Sequence, residues 1–397
     1  MRLTLRGWTC LMGGLVWVVG GYVVGVPGLF APGLFLVALP LTALVALIPA
    51  RLGARARRRV PDTPVMAGRP FIWHIDLRLG GANPGGEGEL TETVGPALGD
   101  SFTVQFRMGA KARDVSFAMR AVPAWRGRHP IGPSLILVQH PLRLAAAKLR
   151  VSGGDSVLAT PPVYPLGSAR GLPAADGGAQ SSLQRAGVTG VDDAMIREYR
   201  AGDDIRRIHW RSTARLGDLM VRGEEDTWDP RACLILDTRA EAFSTDRPDT
   251  RFEAAVELIA SLAVHLLRNG YRLVLADTSG HVHRLDADPV VAEQEALVTL
   301  AEVQPDGGPW LLHDDLNEMG GYLVATVLGD ADEASVLRLT GQVPRGNGHW
   351  ALVLGRGEPA ALRVVDLFRE AGWSCTTVSP LTPPYRAWQP CLSGVSR

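Results

Sequence analysis

From Gly7 to Ala50 the chain carries no charged residue, an uninterrupted run of 44. Written as one helix this run would be about 66 Å long, roughly twice a hydrocarbon core of about 30 Å. "VPGLFAPG", residues 26 to 33, breaks it near the middle, because Pro27 and Pro32 both disfavour continued helix. The pattern predicts a hairpin of two transmembrane helices, near 8 to 26 and 30 to 49. Arg2 and Arg6 precede it, while Arg51, Arg55, Arg57, Arg58 and Arg59 follow it. The connecting turn has no charge, so both termini are expected on the cytoplasmic side of the cell membrane. A cleavable signal peptide is the competing reading, but two spans closed by five arginines do not have that form.

Beyond the hairpin, composition excludes more than it identifies. Lys plus Arg and Asp plus Glu both number 41, so the chain has no global pull toward nucleic acid or anionic lipid. Cys10, Cys233, Cys375 and Cys391 make no Cys-x-x-Cys pair, which suggests neither a zinc site nor a disulfide framework. No cofactor is expected.

Residues 60 to 165 are expected to form a β-sandwich. In "FIWHIDLRL" the residues Phe71, Trp73, Ile75, Leu77 and Leu79 alternate with His74, Asp76 and Arg78. Period two means one buried and one wet face. Phe102, Val104, Phe106 and Met108 repeat the pattern, as do Val115, Phe117, Met119 and Ala121. Residues 166 to 190 are rich in Gly, Ala and Ser and are expected to be a linker. From residue 231 short apolar runs alternate with amphipathic helical patterns. This predicts a mainly parallel sheet covered on both faces, an α/β domain ending near 379. The Pro-rich tail, 380 to 397, is expected to be irregular.

Between linker and α/β domain lies "REYRAGDDIRRIHWRSTARLGDLMVRGEED", residues 197 to 226, with seven Arg and seven Asp or Glu. Asp203 is placed to cap a helix, Asp204 to favour its dipole and Gly217 to end it. Arg207, Arg211 and Arg215 fall four apart and form a stripe, while Ile205, Ile208 and Ser212 share another face and Trp210 is expected to anchor the segment. Four uses compete. A nucleic-acid surface is opposed by the seven carboxylates. A metal or nuclease site built on Asp203, Asp204, Glu224, Glu225 and Asp226 lacks Lys and a His-x-x-x-His spacing. An Arg-based surface for a partner or anionic ligand is open. So is an internal brace of mutually paired charges, which the balance favours.

The same residues resemble the signature of the domain-of-unknown-function-58 family. The match runs through Arg197, Glu198, Tyr199, Gly202, Asp203, Asp204, Arg206, Ile208, Trp210, Ala214, Arg215, Leu219, Val221 and Arg222. The order of hairpin, sandwich, "VYP" at 163 to 165, linker and α/β domain resembles it too. The resemblance implies a von Willebrand factor A-like, Rossmann-like fold for the segment 191 to 379. It also implies partnership with a MoxR-type AAA ATPase and neighbouring membrane proteins, without enzymatic activity. Two departures matter. Type A domains often carry Asp-x-Ser-x-Ser after the first strand, holding a metal, and this chain has Asp237, Arg239 and Glu241 there. Arg239 would place a positive charge at the cation's position, so these residues, with Asp330 at a later strand end, form a degenerate metal site. The turn that often reads Asp-Pro-x-Gly-Leu in relatives is here "HPLRL", His140 to Leu144.

The reading that results is a membrane-anchored, non-enzymatic scaffold or adaptor for envelope protein assembly or maturation, binding protein and not nucleic acid. A metal-dependent type A ligand-binding module and a hydrolase using the acidic cluster are the alternatives.

Overall fold

A computed structural model describes residues 1–48, 55–78, 85–109, 114–151, 153–167, 196–199, 208–222, 230–243, 250–285, 288–306, 323–343, 348–355 and 358–392. The fold is mixed α/β, with several sheets and two apolar N-terminal helices. Two compact units divide it, residues 1–162 with 298–302, and 163–297 with 303–397.

In the first unit, α1 spans Leu5–Val24 and α2 spans Phe30–Ala46. Both are long and apolar enough to cross a membrane. Thr4 caps α1, its side chain accepting from the Gly7 amide, and Gly25 closes it in left-handed geometry. Pro27 opens a short 3₁₀ turn, while Pro32 falls in the first turn of α2, where a missing N–H costs little. Gly7, Gly14 and Gly21 are buried at seven-residue spacing on α1, and Gly33, Pro40 and Ala43 on α2. A Cβ on Gly14 would lie 2.8 Å from the Gly33 carbonyl oxygen. The missing side chain is therefore what lets the helices meet, as small residues do where no water drives association.

The hairpin is built into the sheets rather than hung from them. Strand β1, Arg2–Leu3, pairs with β9, Ala145–Val151, and the Thr4 amide donates to the Leu144 carbonyl at 3.0 Å. At the other end Ala43 and Leu47 are buried in one apolar cluster with Leu144, Ala145 and Ala147. The span expected to end near residue 49 is helical to Ala46 and again at Ile48, the last residue described there. The basic segment expected to end the hairpin is itself a strand: β2, Arg55–Arg59, pairs antiparallel with β4, Phe71–Arg78. With β7, Asp114–Ala121, they make a three-stranded sheet.

The seven-stranded sheet has at its centre β8, Gly127–Gln139, flanked by β9, by β5, Gly86–Val94, and by β10, Asp155–Thr160. Strand β6, Phe102–Met108, pairs with β5, and β3, Val65–Met66, runs parallel to β10. Phe71, Trp73, Ile75 and Leu77 of the smaller sheet share one cluster with Leu90, Ile136 and Val138 of the larger. The alternation predicted for β4, β6 and β7 is the alternation observed.

The second unit holds a six-stranded sheet. Its strands are β13 (Arg231–Leu236), β14 (Arg272–Asp277), β15 (Val282–Leu285), β16 (Leu323–Leu328), β17 (Gly348–Val353) and β18 (Ser374–Thr377). Their order is β15-β14-β13-β16-β17-β18, all parallel except β15. Near-continuous burial along β13 and β16 is what a sheet covered on both faces requires. After β14 and β15 the chain returns to the other side of β13, so the order reverses between β13 and β16. Helix α4, Thr250–Arg268, buries Phe252, Val256, Ile259, Ala263 and Leu266, which recur at helical spacing (α3 lies in the charged motif described below). Helix α5, Pro289–Glu302, starts in this unit and ends in the residues grouped with the first, and α6, Glu333–Gln342, and α7, Glu358–Glu370, complete the alternation.

The tail corrects an expectation. It is not irregular: Pro384–Ala387 (α8) and Gln389–Leu392 (α9) are helical. Trp388 is fully buried, and its Nε1–H donates to the Leu258 carbonyl of α4 at 3.0 Å. The linker expected at 166 to 190 lies outside the described residues beyond Gly167.

Candidate functional site

Two places carry the candidate residues. In the charged motif, the described residues form a small closed unit. Strand β11, Ile196–Glu198, pairs antiparallel with β12, Met220–Arg222, so that Arg197 lies opposite Val221 and Glu198 opposite Met220. The Tyr199 amide donates to the Leu219 carbonyl at 2.7 Å. Between the strands sits α3, Trp210–Leu216. Gly217 ends it in left-handed geometry, as predicted. Its cap, however, is His209, whose Nδ1 lies 3.3 Å from the Ser212 amide and 2.9 Å from the Ser212 hydroxyl. The His209 amide donates to the Met220 carbonyl at 2.8 Å, and the Thr213 hydroxyl accepts from the Met220 amide at 3.0 Å. His209 followed by Ser212 three residues on was the signal for this cap. Gly202, Asp203, Asp204 and Arg206, with Ile205 and Arg207, lie outside the described residues, as do Glu224, Glu225 and Asp226.

The anchor assigned to Trp210 is not there. Trp210 is 68% exposed, and Leu216 and Leu219 are exposed with it. Arg211 and Arg215 face solvent one helical turn apart and, among the described residues, make no ion pair. A seven-residue helix has too few side chains to bury a Trp and two Arg while closing on Met220 of β12 through His209 and Thr213. Trp210, Arg211, Arg215 and Leu216 thus form an exposed face of this helix, while the acidic residues expected to pair within the motif, Asp203, Asp204, Glu224, Glu225 and Asp226, lie outside the described residues. Ile208 is half-buried.

The second place is the carboxyl end of β13 and β16, where the strand order reverses and open α/β sheets form a crevice. Asp237 follows β13 and is fully buried. Arg239, two residues on, folds back onto it: Nε lies 3.0 Å from Oδ1 and Nη2 lies 2.9 Å from Oδ2. The Arg239 amide donates to Oδ1 at 3.1 Å, and the Gly329 amide after β16 donates to Oδ2 at 3.1 Å. The remaining guanidinium donors reach the Ser335 hydroxyl at 3.2 Å and the Asp330 carbonyl at 3.3 Å. Glu241 is 3.8 Å away, its side chain in solvent. The Asp330 carboxylate pairs instead with Arg251 at 3.2 Å. Around this pair stand Thr238 and Thr278, both buried, whose hydroxyls are 3.2 Å apart.

The four degenerate-site residues are thus neighbours, with the charge of Arg239 on the carboxylate of Asp237. Ser335, Thr278 and Gly329 were missed, since their sequence separations carry no local pattern. Asp332 is held below the usual carboxylate range, chiefly by the Ser335 hydroxyl and then by the Ser335 amide, with Arg239 adding attraction. Cys233, on β13, is pushed up to about 12 by burial, which leaves it an inert thiol. Among the described residues no group of three His, Cys, Asp or Glu could hold a metal ion. The "VYP" segment meets α4, the Tyr164 amide donating to the buried Ser261 hydroxyl at 3.1 Å.

Three solved structures illustrate the likenesses found. The sporulation control protein Spo0M of Bacillus subtilis is 9% identical over 38% of this chain and 58% of its own, with a TM-score of 0.18. A β-glucosidase from Listeria innocua is 9% identical over 25% and 16%, at 0.16. A DUF4466 family protein from Parabacteroides merdae is 9% identical over 26% and 44%, at 0.16. The chain spans less than two thirds of each, and at these scores the likeness carries no argument. No curated protein matches this chain. Residues 195–323 match the family described as protein of unknown function DUF58. That segment opens on the β11–α3–β12 unit and includes the Asp237–Arg239 pair, and through it this part of the chain is similar to the DUF58 family.

Proposed function

We propose that this chain is a membrane-anchored, non-enzymatic adaptor that presents α3 to a protein partner of the MoxR-type AAA ATPase class. The observation that carries the reading is the exposure of Trp210 beside Arg211 and Arg215 within the family signature. Trp and Arg are the residues most enriched among those that dominate binding energy. The order of the six-stranded sheet, with its antiparallel β15, supports a von Willebrand factor A-like reading of the second unit. In such a sheet the crevice at the reversal point is where a ligand would bind, and here Arg239 fills it. This weighs against the metal-dependent module, because a divalent ion would have to displace a bidentate guanidinium. The apolar helices support a membrane anchor, and the pairing of β1 with β9 supports both hairpin ends lying on one side.

The test is binding of the purified full chain to a purified MoxR-type ATPase. Trp210→Ala with Arg215→Ala should weaken binding at least tenfold without lowering Tm, since neither side chain is buried. Absence of binding by the wild type overturns the adaptor reading. Reporter fusions after Arg397 test topology, and activity confined to a periplasmic reporter would overturn the cytoplasmic placement.

A further inference from the structure

The arginines after the hairpin are held on a rigid strand. β2 is an edge strand of its sheet, and exposure alternates along it: Arg55, Arg57 and Arg59 face out, while Ala56 and Arg58 are partly covered. Arg58 holds that register. Its side chain is 4% exposed, its Nε lies 2.5 Å from Oε1 of the fully buried Glu92, and its other nitrogens donate to the Ser134 hydroxyl at 2.8 Å and the Gly153 carbonyl at 2.6 Å. A one-residue slip would expel Arg58 and turn Arg57 and Arg59 inward. The outward guanidiniums therefore stand at two-residue intervals, about 6.8 Å apart along the backbone.

The three are not equivalent. Arg59 is paired with Asp76 at 2.9 Å. Among the described residues Arg55 and Arg57 have no ion-pair partner. Arg57 also lines an open groove of about 1000 Å³, together with Arg128, Asp62 and Asp155. The strand is close to the spans in the chain: Leu47, at the end of α2, is buried in the same apolar cluster as Phe71 and Ile75 of β4. Seven residues lie between Leu47 and Arg55, and the eight chain steps limit the gap to about 28 Å.

We propose that Arg55 and Arg57 bind the phosphate groups of anionic lipids in the leaflet at which the hairpin ends. This rests on the membrane-anchored reading above. Free phosphate shares the chemistry, but lipid headgroups are the better fit. The two arginines lie on a sheet edge where, among the described residues, no ring of donors encloses a small anion, and the groove beside Arg57 carries two carboxylates. The contact would set the attitude of the sheets on the bilayer.

The experiment uses the full chain, inserted in membranes and washed with carbonate, then purified in mild detergent with a mixture of phosphatidylglycerol and phosphatidylcholine. Native mass spectrometry counts the retained lipids. The wild type should retain phosphatidylglycerol over phosphatidylcholine. Each Arg contributes about fivefold to binding near an anionic surface, so Arg55→Gln with Arg57→Gln should lower the preference about 25-fold. Arg59→Gln, whose charge is already paired, should lower it much less. Equal retention of both lipids by an inserted wild type overturns the proposal and leaves the anchor intact. Displacement of phosphatidylglycerol by millimolar inorganic phosphate overturns the lipid as occupant. Release of the chain by carbonate overturns the anchor, and the lipid site with it.

Discussion

Arg239 holds both carboxylate oxygens of Asp237 from only two residues away, at 3.0 and 2.9 Å. The geometry follows from position. Asp237 ends a buried strand, so its carboxylate points into the crevice, and the chain turns there, with the Arg239 amide donating to the same carboxylate. Backbone amides from two sides of the strand reversal complete the shell. The carboxylate is thus neutralised by a cation from the chain itself.

Arg239→Ala should therefore be costly. It leaves a fully buried carboxylate without its partner, a change of about 3–5 kcal/mol for buried pairs. Denaturant unfolding of the detergent-solubilised chain measures it. Asp237→Leu combined with Arg239→Met should recover much of the loss, because an apolar replacement removes both charges. A single variant with the wild-type midpoint would mean the pair is not closed in solution.

The same site sets the response to metal. Mg²⁺ or Mn²⁺ should not raise the Tm of the wild type, since any ligand that binds only the native state stabilises it by mass action. A saturable rise in Tm would show that a cation displaces Arg239.

What the sequence disclosed depended on periodicity. Phe71, Trp73, Ile75 and Leu77 alternate without exception, and they form the inner face of β4. The apolar runs of β13 and β16 announced a covered parallel sheet. Strand β5 was missed because its inward positions are Gly88, Leu90 and Glu92, a glycine and a buried charge among them. Glu92 becomes intelligible only with Arg58, 34 residues earlier. Strand β9 was missed because "AAAKLRV" has helix-forming composition, which pairing with β8, and with β1 at Ala145 and Ala146, overrides. In the motif, chemistry was legible and exposure was not: nothing local tells that Trp210 faces water.

The hairpin gives a paired test. A Cβ on Gly14 would meet the Gly33 carbonyl oxygen at 2.8 Å, and Leu36 and Val37 at 2.9 Å, while one on neighbouring Gly13 meets nothing within 4 Å. Gly14→Leu should separate the helices at about 1–3 kcal/mol, the usual range for overpacking. Gly13→Leu should be close to neutral. Thermal unfolding in detergent compares them, and equal Tm values would contradict the close packing.

Acid should weaken the second unit through His265. Burial lowers its pKa below the ordinary histidine value, and its Nε2 is buried without a partner among the described residues. The folded state therefore binds protons less readily than the unfolded chain. Stability from this group is present above about pH 6.5, the unfolded value, and is lost as pH falls through the folded one. His265→Gln should flatten the fall in Tm between pH 7 and 5. Part of the slope should remain, because burial shifts His129 and His140 the same way. An unchanged slope would mean His265 takes up its proton as easily folded as unfolded.

Arg58 and Arg59 are adjacent in sequence and opposite in environment, which makes them a test of β2 itself. The Arg58 guanidinium serves three acceptors, and the Ser134 hydroxyl it contacts donates in turn to Glu92. Gly132, with φ of +103°, leaves room for it: a Cβ there would lie 2.6 Å from the Arg58 Nη2. Arg58→Ala strands a fully buried glutamate, so a loss of about 3–5 kcal/mol is expected. Arg59 and Asp76 are largely in water, with side chains 60% and 39% exposed, so Arg59→Ala should cost about 0–1 kcal/mol. Gly132→Ala should resemble Arg58→Ala, since it combines an unfavourable φ with a clash against the guanidinium. Equilibrium unfolding of the three variants decides the matter. If Arg58→Ala and Arg59→Ala unfold alike, the basic segment is a solvated stop after the hairpin and not a strand locked into the fold.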